Sequence, residues 1–139
     1  MKTNYNELVY TMVNDIYRII DEIDNDDKLC EYLVSLDEDL DTEINEYNDI
    51  TMAAIKITTD RYYDIKSENE TVNYLTYIFR KNMKKMAELI KENNSLKEYV
   101  MEVYGSRPFG FRDVLMQSLD CEDYEGVVSI IMLEEIINC

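Results

Sequence analysis

The sequence predicts an all-α fold. Apolar residues recur at intervals of three and four along nearly the whole chain, which is the period of an amphipathic helix. One proline and three glycines are the only strong helix breakers in 139 residues. No segment offers a convincing pair of strands. We therefore expect a single domain over residues 1–139, a bundle of about six to seven helices around a hydrophobic C-terminal helix.

The first helix is predicted from about residue 5 to residue 23, with Asn4 as its N-terminal cap. One apolar stripe defines it: Leu8, Met12, Ile16, Ile19 and Ile23. Val9, Val13 and Ile20 widen this stripe. The Asp-rich stretch at 24–27 ends the helix and caps a second one, which carries leucines at positions 29, 33 and 36.

A third helix is predicted to begin after residue 41 and to carry Ile44, Tyr47 and Ile50. Its continuation through residues 55–59 is rich in β-branched side chains, which favour strands. A lone strand would leave its backbone hydrogen bonds unsatisfied, so helix is the preferred interpretation.

The clearest predicted helix follows a capping box formed by Ser67 and Glu70. Its seam repeats every three or four residues through Val72, Leu75, Phe79, Met83, Met86 and Ile90. A second capping box, Ser95 with Glu98, predicts a short helix that ends at Gly105.

Two more helices complete the prediction. One runs from about residue 112 to residue 119, and the last is capped by Asp120 or Asp123. Apolar residues surround the last helix on almost every side, as is typical of a buried central helix. They are Val127, Val128, Ile130, Ile131, Met132, Leu133, Ile136 and Ile137.

Composition argues against catalysis. The chain has no histidine, and its three cysteines form no CxxC pair. The missing histidine excludes imidazole acid–base chemistry, and the cysteine spacing argues against a thiolate zinc site. Three glycines are too few for a phosphate-binding loop of the P-loop or dinucleotide type. We expect a protein that is not an enzyme and that holds neither cofactor nor metal.

The charge is concentrated in one acidic segment, residues 21–49. Thirteen carboxylates and a single lysine lie there, so the segment carries −12 of the chain's net −16. Such crowding opposes folding through like-charge repulsion, which favours a functional role. The predicted partner-binding carboxylates are Asp24, Asp26, Asp27, Glu31, Asp37, Glu38, Asp39, Asp41, Glu43 and Glu46. A merely solvated acidic face explains the same pattern about equally well.

Two metal-dependent alternatives match poorly. Asp37, Asp39 and Asp41 have the spacing of an EF-hand's first ligands, but the loop lacks the glycine at its sixth position and the glutamate at its twelfth. Glu43 and Glu46 form one E-x-x-E pair of a magnesium enzyme, without the second pair that such a site needs.

The loop from Arg107 to Phe111 is the remaining candidate contact. It holds the only proline and two of the three phenylalanines. Arg107, Phe109 and Phe111 would anchor a partner, or the two phenylalanines would plug the end of the bundle.

The sequence thus predicts a non-enzymatic acidic protein that docks on a basic, nucleic-acid-binding partner protein by mimicking nucleic acid. Its residue usage is typical of AT-rich coding, so we expect an inhibitor encoded by a phage or virus. The alternative is a helical protein-interaction module that binds through an apolar groove, a host-defence antagonist of the viral Bcl-2-like type. No motif carries a family resemblance.

The expected location is the cytoplasm of a bacterium or an infected cell, since no apolar run approaches the roughly 20 residues of a membrane span. A net charge of −16 repels nucleic acid and anionic membranes at long range, so we expect neither as a direct partner. Basic residues on the long helix, among them Lys81, Lys84 and Lys85, supply an internal counter-charge or the contact of a possible homodimer.

Overall fold

The fold is all-α, as predicted. The computed structural model describes residues 4–29, 31, 51, 54, 57–59, 68–106 and 112–137, and no strand occurs among them. Its helices are α1 (Tyr5–Asp24), α2 (Glu70–Glu92), α3 (Asn94–Tyr104), α4 (Arg112–Asp120) and α5 (Tyr124–Ile137). Residues 27–29, 31, 51, 54 and 57–59 are also helical.

The β-branched residues at 57–59 are helical and buried. The hydroxyl of Thr58 donates a 2.8 Å hydrogen bond to the carbonyl oxygen of Ala54, one turn earlier. Burial of these side chains outweighs the few tenths of a kcal/mol, roughly, that each β-branched residue costs in a helix. The helix interpretation is therefore confirmed for these three residues, and residues 55 and 56 lie outside the described ranges.

The chain divides into two compact units. The first comprises residues 1–13 and 81–139, and the second comprises residues 14–80. The single-domain organisation stays a prediction.

In the first unit the core is built on α5. Six of its apolar side chains are buried, and four of these have no exposed surface: Val127, Val128, Ile131 and Met132. Helix α4 packs most extensively against α5, and α3 contacts both. Each fully buried side chain of this kind stabilises the fold by roughly 1.5–3 kcal/mol. The predicted role of the C-terminal helix as the hydrophobic centre is thus confirmed for this unit.

The central residues of the apolar stripes predicted for α1 and α2 are all buried, whereas Val9, Val13 and Ile20, which were predicted to widen the α1 stripe, are half-buried. In the second unit the buried members are Ile16, Ile19, Ile23, Val72, Leu75 and Phe79, joined by Leu29, Ala54 and Ile57. The members that fall in the first unit are equally buried, namely Leu8, Met12, Met83, Met86 and Ile90. Because side chains three and four apart share one helical face, the sequence period alone located both stripes.

Helix caps were predicted less well. The side chains of Asn4 and Asp123 do cap α1 and α5, accepting from the backbone N–H groups of Asn6 (2.8 Å) and Gly126 (3.2 Å). Helix α2, however, is capped by Asn69, whose Oδ1 accepts from Val72 at 3.1 Å, so the prediction of Ser67 was wrong. The side-chain amide of Asn69 also donates a hydrogen bond to the carboxylate of Asp26, which belongs to the same unit. This contact favours the start of α2 at Asn69.

Helix α3 begins two residues before its predicted start. Asn93 is its cap, and its Oδ1 accepts a 3.1 Å hydrogen bond from the backbone N–H of Leu96. The prediction of Ser95 was wrong because asparagine and serine cap helices about equally well. Capping at Asn93 lengthens the helix by two residues, a little more than half a turn. Its predicted end at Gly105 is confirmed.

A tight turn joins α4 to α5. The backbone N–H of Asp123 donates to the carbonyl of Ser118 at 2.8 Å, and that of Glu122 donates to Leu119 at 3.2 Å. This is the Schellman arrangement, which places its penultimate residue in the left-handed region. That residue is Glu122, with φ of 58°. Asp123 follows immediately as the cap of α5, so one turn ends a helix and starts the next.

We predict that Glu122→Gly stabilises the protein by up to about 1 kcal/mol, because glycine adopts positive φ without the steric cost of a side chain. Urea unfolding measures the difference. Glu122→Ala is the matched control, since it removes the same charge but keeps the strain. Equal gains in the two variants would assign the effect to charge instead of conformation.

Candidate functional site

Four carboxylates in the described part of the acidic segment lie on the surface. Asp24, Asp27 and Glu31, all predicted partner-binding residues, are exposed, and so is Asp21. None of the four forms an ion pair with a described residue. We call these four residues the exposed acidic cluster. Their charge is therefore presented to solvent.

The last turn of α1 is an unfavourable place for acidic residues. Asp21, Glu22 and Asp24 lie there, and no basic residue accompanies them. The C-terminus of a helix carries partial negative charge, so each carboxylate in the last turn costs roughly 0.3–1 kcal/mol at low salt. Acidic side chains at these positions lower the stability of the fold, whereas a lysine there would raise it.

Asp26 differs from the exposed acidic cluster because both of its carboxylate oxygens are used within the fold. Oδ1 accepts a 3.0 Å hydrogen bond from the backbone N–H of Leu29, which caps the helical residues 27–29. Oδ2 accepts a 3.0 Å hydrogen bond from the side-chain amide of Asn69, itself the cap of α2. Asp26 thus links two helix starts, and its predicted role in partner binding stays a prediction.

Asp15 is a buried carboxylate in α1, with 7% of its surface exposed. Burial raises its pKa above the ordinary 3.8, and the nearby Arg18 guanidinium, 3.9 Å away, offsets part of this rise. Because the ionised form is disfavoured in the folded protein, Asp15 reduces stability at neutral pH, and the penalty shrinks as the pH falls below its folded pKa and is gone below 3.8.

We predict that Asp26→Asn lowers the melting temperature at pH 7. The hydrogen bonds from Leu29 and Asn69 hold the pKa of Asp26 below its ordinary value of 3.8. A depressed folded pKa contributes stability that is present above pH 3.8 and is lost as the pH falls through the folded value. The deficit of the variant should therefore vanish in strong acid.

Thermal melts of both proteins from neutral pH downward measure this. Asp27→Asn is the control, because it neutralises the adjacent, exposed carboxylate. An equal loss in both variants, or a deficit of Asp26→Asn that persists in strong acid, would contradict the assigned hydrogen bonds.

The remaining predicted site residues lie outside the described residues. They are Asp37, Glu38, Asp39, Asp41, Glu43, Glu46, Arg107, Phe109 and Phe111. The calcium-loop and E-x-x-E alternatives fall on the same undescribed stretch. Within the described ranges, no group of three or more histidine, cysteine or acidic residues could hold a metal ion.

A cleft of about 320 Å³ in the first unit was not predicted. Four tyrosines and three valines form most of its lining, together with one amide and one carboxylate. We call it the tyrosine cleft. Its residues are Tyr5, Asn6, Val9, Tyr10, Val13, Tyr99, Val103, Tyr104 and Glu135.

A directed chain of hydrogen bonds organises the cleft. The Tyr5 hydroxyl donates to the Tyr104 hydroxyl at 3.1 Å, and Tyr104 donates to Oε1 of Glu135 at 2.8 Å. The ring of Tyr99 meets that of Tyr5 edge to face, with 5.8 Å between their centroids. Burial, reinforced by Tyr5 and Glu135, raises the pKa of Tyr104. Tyr104 therefore stays protonated and serves as a donor.

The rim of the cleft is open to solvent. Tyr10 is 72% exposed and Tyr99 is 44% exposed, whereas Tyr104 is 3% exposed. Val9 and Val13 were predicted to widen the core stripe of α1, and in the structure they are half-buried and line the cleft. Tyr5, Val9 and Val13 follow one another at intervals of four residues, and this spacing indicated a second face on the helix.

No family model matches the sequence, and neither the curated proteins nor the solved structures include a match. None of the described helices is both long enough and apolar enough to span a bilayer.

Proposed function

We propose that this chain is a non-enzymatic acidic binding protein, a phage- or virus-encoded inhibitor that docks its acidic segment on a basic, nucleic-acid-binding partner protein. One observation supports this above all. The exposed acidic cluster has no ion-pair partner among the described residues, so its charge is available to another molecule.

The energetics of the cluster also support docking. Its carboxylates oppose folding, through mutual repulsion and, at the end of α1, through the helix dipole. In a complex with a basic surface the same charges attract, and they accelerate association at long range. A row of carboxylates presents the charge sign of a nucleic-acid backbone, so a protein that binds nucleic acid is the fitting partner.

We assign no reaction to the chain. Histidine is absent from the sequence, and the most buried tyrosine of the cleft is held in its protonated form. Binding, therefore, is the activity for which the described groups are suited.

We predict that neutralising the exposed acidic cluster weakens partner binding by at least about tenfold. The test variant is Asp21→Asn, Asp24→Asn, Asp27→Asn and Glu31→Gln together. The control neutralises four exposed carboxylates elsewhere, at Glu92, Glu98, Glu102 and Asp120. Each variant loses four negative charges, so both carry −12 instead of −16.

Capture from host-cell lysate at about 50 mM and about 300 mM salt provides the measurement, because exposed charges are screened over about 10 Å at 0.1 M salt. Wild type and control should retain the same basic proteins at low salt and release them at high salt. The test variant should retain few of them. Equal capture by the two variants would contradict the proposal.

A second candidate is the helical interaction module that binds through an apolar groove. The tyrosine cleft favours it, since exposed tyrosines beside valines are typical of protein interfaces. Binding of this kind would survive about 300 mM salt and would fail when Tyr10 is replaced by alanine. The same capture experiment thus separates the two candidates.

A further inference from the structure

We propose that the tyrosine cleft binds the guanidinium group of an arginine side chain presented by the partner protein. The basic partner itself rests on the proposed function, whereas the chemistry of the cleft is independent of it. The inference follows from three properties of the cleft: its aromatic walls, its carboxylate and its size.

The aromatic walls suit a flat cation. Tyr10 and Tyr99 expose ring surface at the rim, and Tyr5 holds the ring of Tyr99 in place through their edge-to-face contact. Cations bind over the faces of aromatic rings, and arginine does so more often than lysine because the planar guanidinium can stack.

The carboxylate supplies the complementary charge. Glu135 is the only charged residue among the described residues that line the cleft. The Tyr5 hydroxyl donates to Tyr104, and the Tyr104 hydroxyl donates to this carboxylate, so these two hydrogen bonds help to fix its position. A carboxylate held in one place is the preferred acceptor for a guanidinium, whose parallel N–H groups match its geometry.

The size and polarity of the cleft favour one side chain over a larger element. About 320 Å³ is at the lower end of ligand-binding clefts, which suits an extended arginine side chain with a few flanking atoms. Val9, Val13 and Val103 offer apolar surface to its methylene groups. Guanidinium is more weakly hydrated than ammonium, so entry into such surroundings costs arginine less than lysine.

Titration with short peptides tests the assignment. The probes are acetyl-Gly-Arg-Gly-amide and its lysine and citrulline counterparts, and citrulline keeps the shape of arginine without its charge. The full chain at about 150 mM salt is observed by NMR of its tyrosine rings. We expect the arginine peptide to bind with a Kd on the order of 1 mM. The other two should bind at least about fivefold more weakly.

Two substitutions locate the binding. Glu135→Gln removes the charge and keeps an acceptor for Tyr104, and Tyr10→Ala removes an exposed ring that the fold needs little. Each substitution should weaken binding of the arginine peptide by at least about fivefold. Glu92→Gln and Tyr74→Ala are matched controls, since they remove one charge and one exposed tyrosine outside the cleft.

Several results would overturn the assignment. Equal binding of the citrulline peptide would show that charge is not recognised, and equal binding of the lysine peptide would exclude guanidinium selectivity. Equal losses in the controls would show that binding is unspecific attraction to an acidic chain. The variant that neutralises the exposed acidic cluster should bind the arginine peptide normally. If that variant also captured partners normally, the proposed function would fail while the cleft assignment stood.

Discussion

Electrostatic self-repulsion is the constraint on which the rest of this structure depends. Thirty acidic residues face only 14 basic ones, and much of the excess lies in residues 21–49. A fold of this kind must be stabilised by interactions other than ion pairs. The buried stripes of α1 and α2 and the apolar helix α5 provide the hydrophobic term. Side-chain oxygens of Asn69, Asn93 and Asp123 accept hydrogen bonds from free backbone N–H groups at the helix starts, which needs no ion pair.

Two kinds of carboxylate contrast among the described residues. Asp26 and Glu135 accept hydrogen bonds that join distant parts of the chain, and they belong to the scaffold as much as any apolar residue. Asp21, Asp24 and Asp27 have no such contacts among the described residues. The same residue type therefore stabilises the fold in one place and opposes it in another. Only the second kind needs a role outside the fold, and binding a basic partner is the role we propose for it.

The sequence was sufficient for features that depend on local periodicity. The central stripe residues of α1 and α2 are all buried, because helical spacing determines which side chains share a face. Helix starts were harder to predict, since neighbouring residues such as Asn93 and Ser95 cap with similar energies. The tyrosine cleft was beyond such reasoning. Its hydrogen bond between Tyr5 and Tyr104 joins residues 99 positions apart, so only tertiary structure brings them together.

The most direct test of this account is the salt dependence of stability for wild type and for the variant that neutralises Asp21, Asp24, Asp27 and Glu31. If these charges are retained at a cost to the fold, the variant should be more stable at low salt, by on the order of 1 kcal/mol. The difference should close as salt screens the repulsion. A variant that is less stable than wild type at every salt concentration would show that the cluster serves the fold, and would contradict the account.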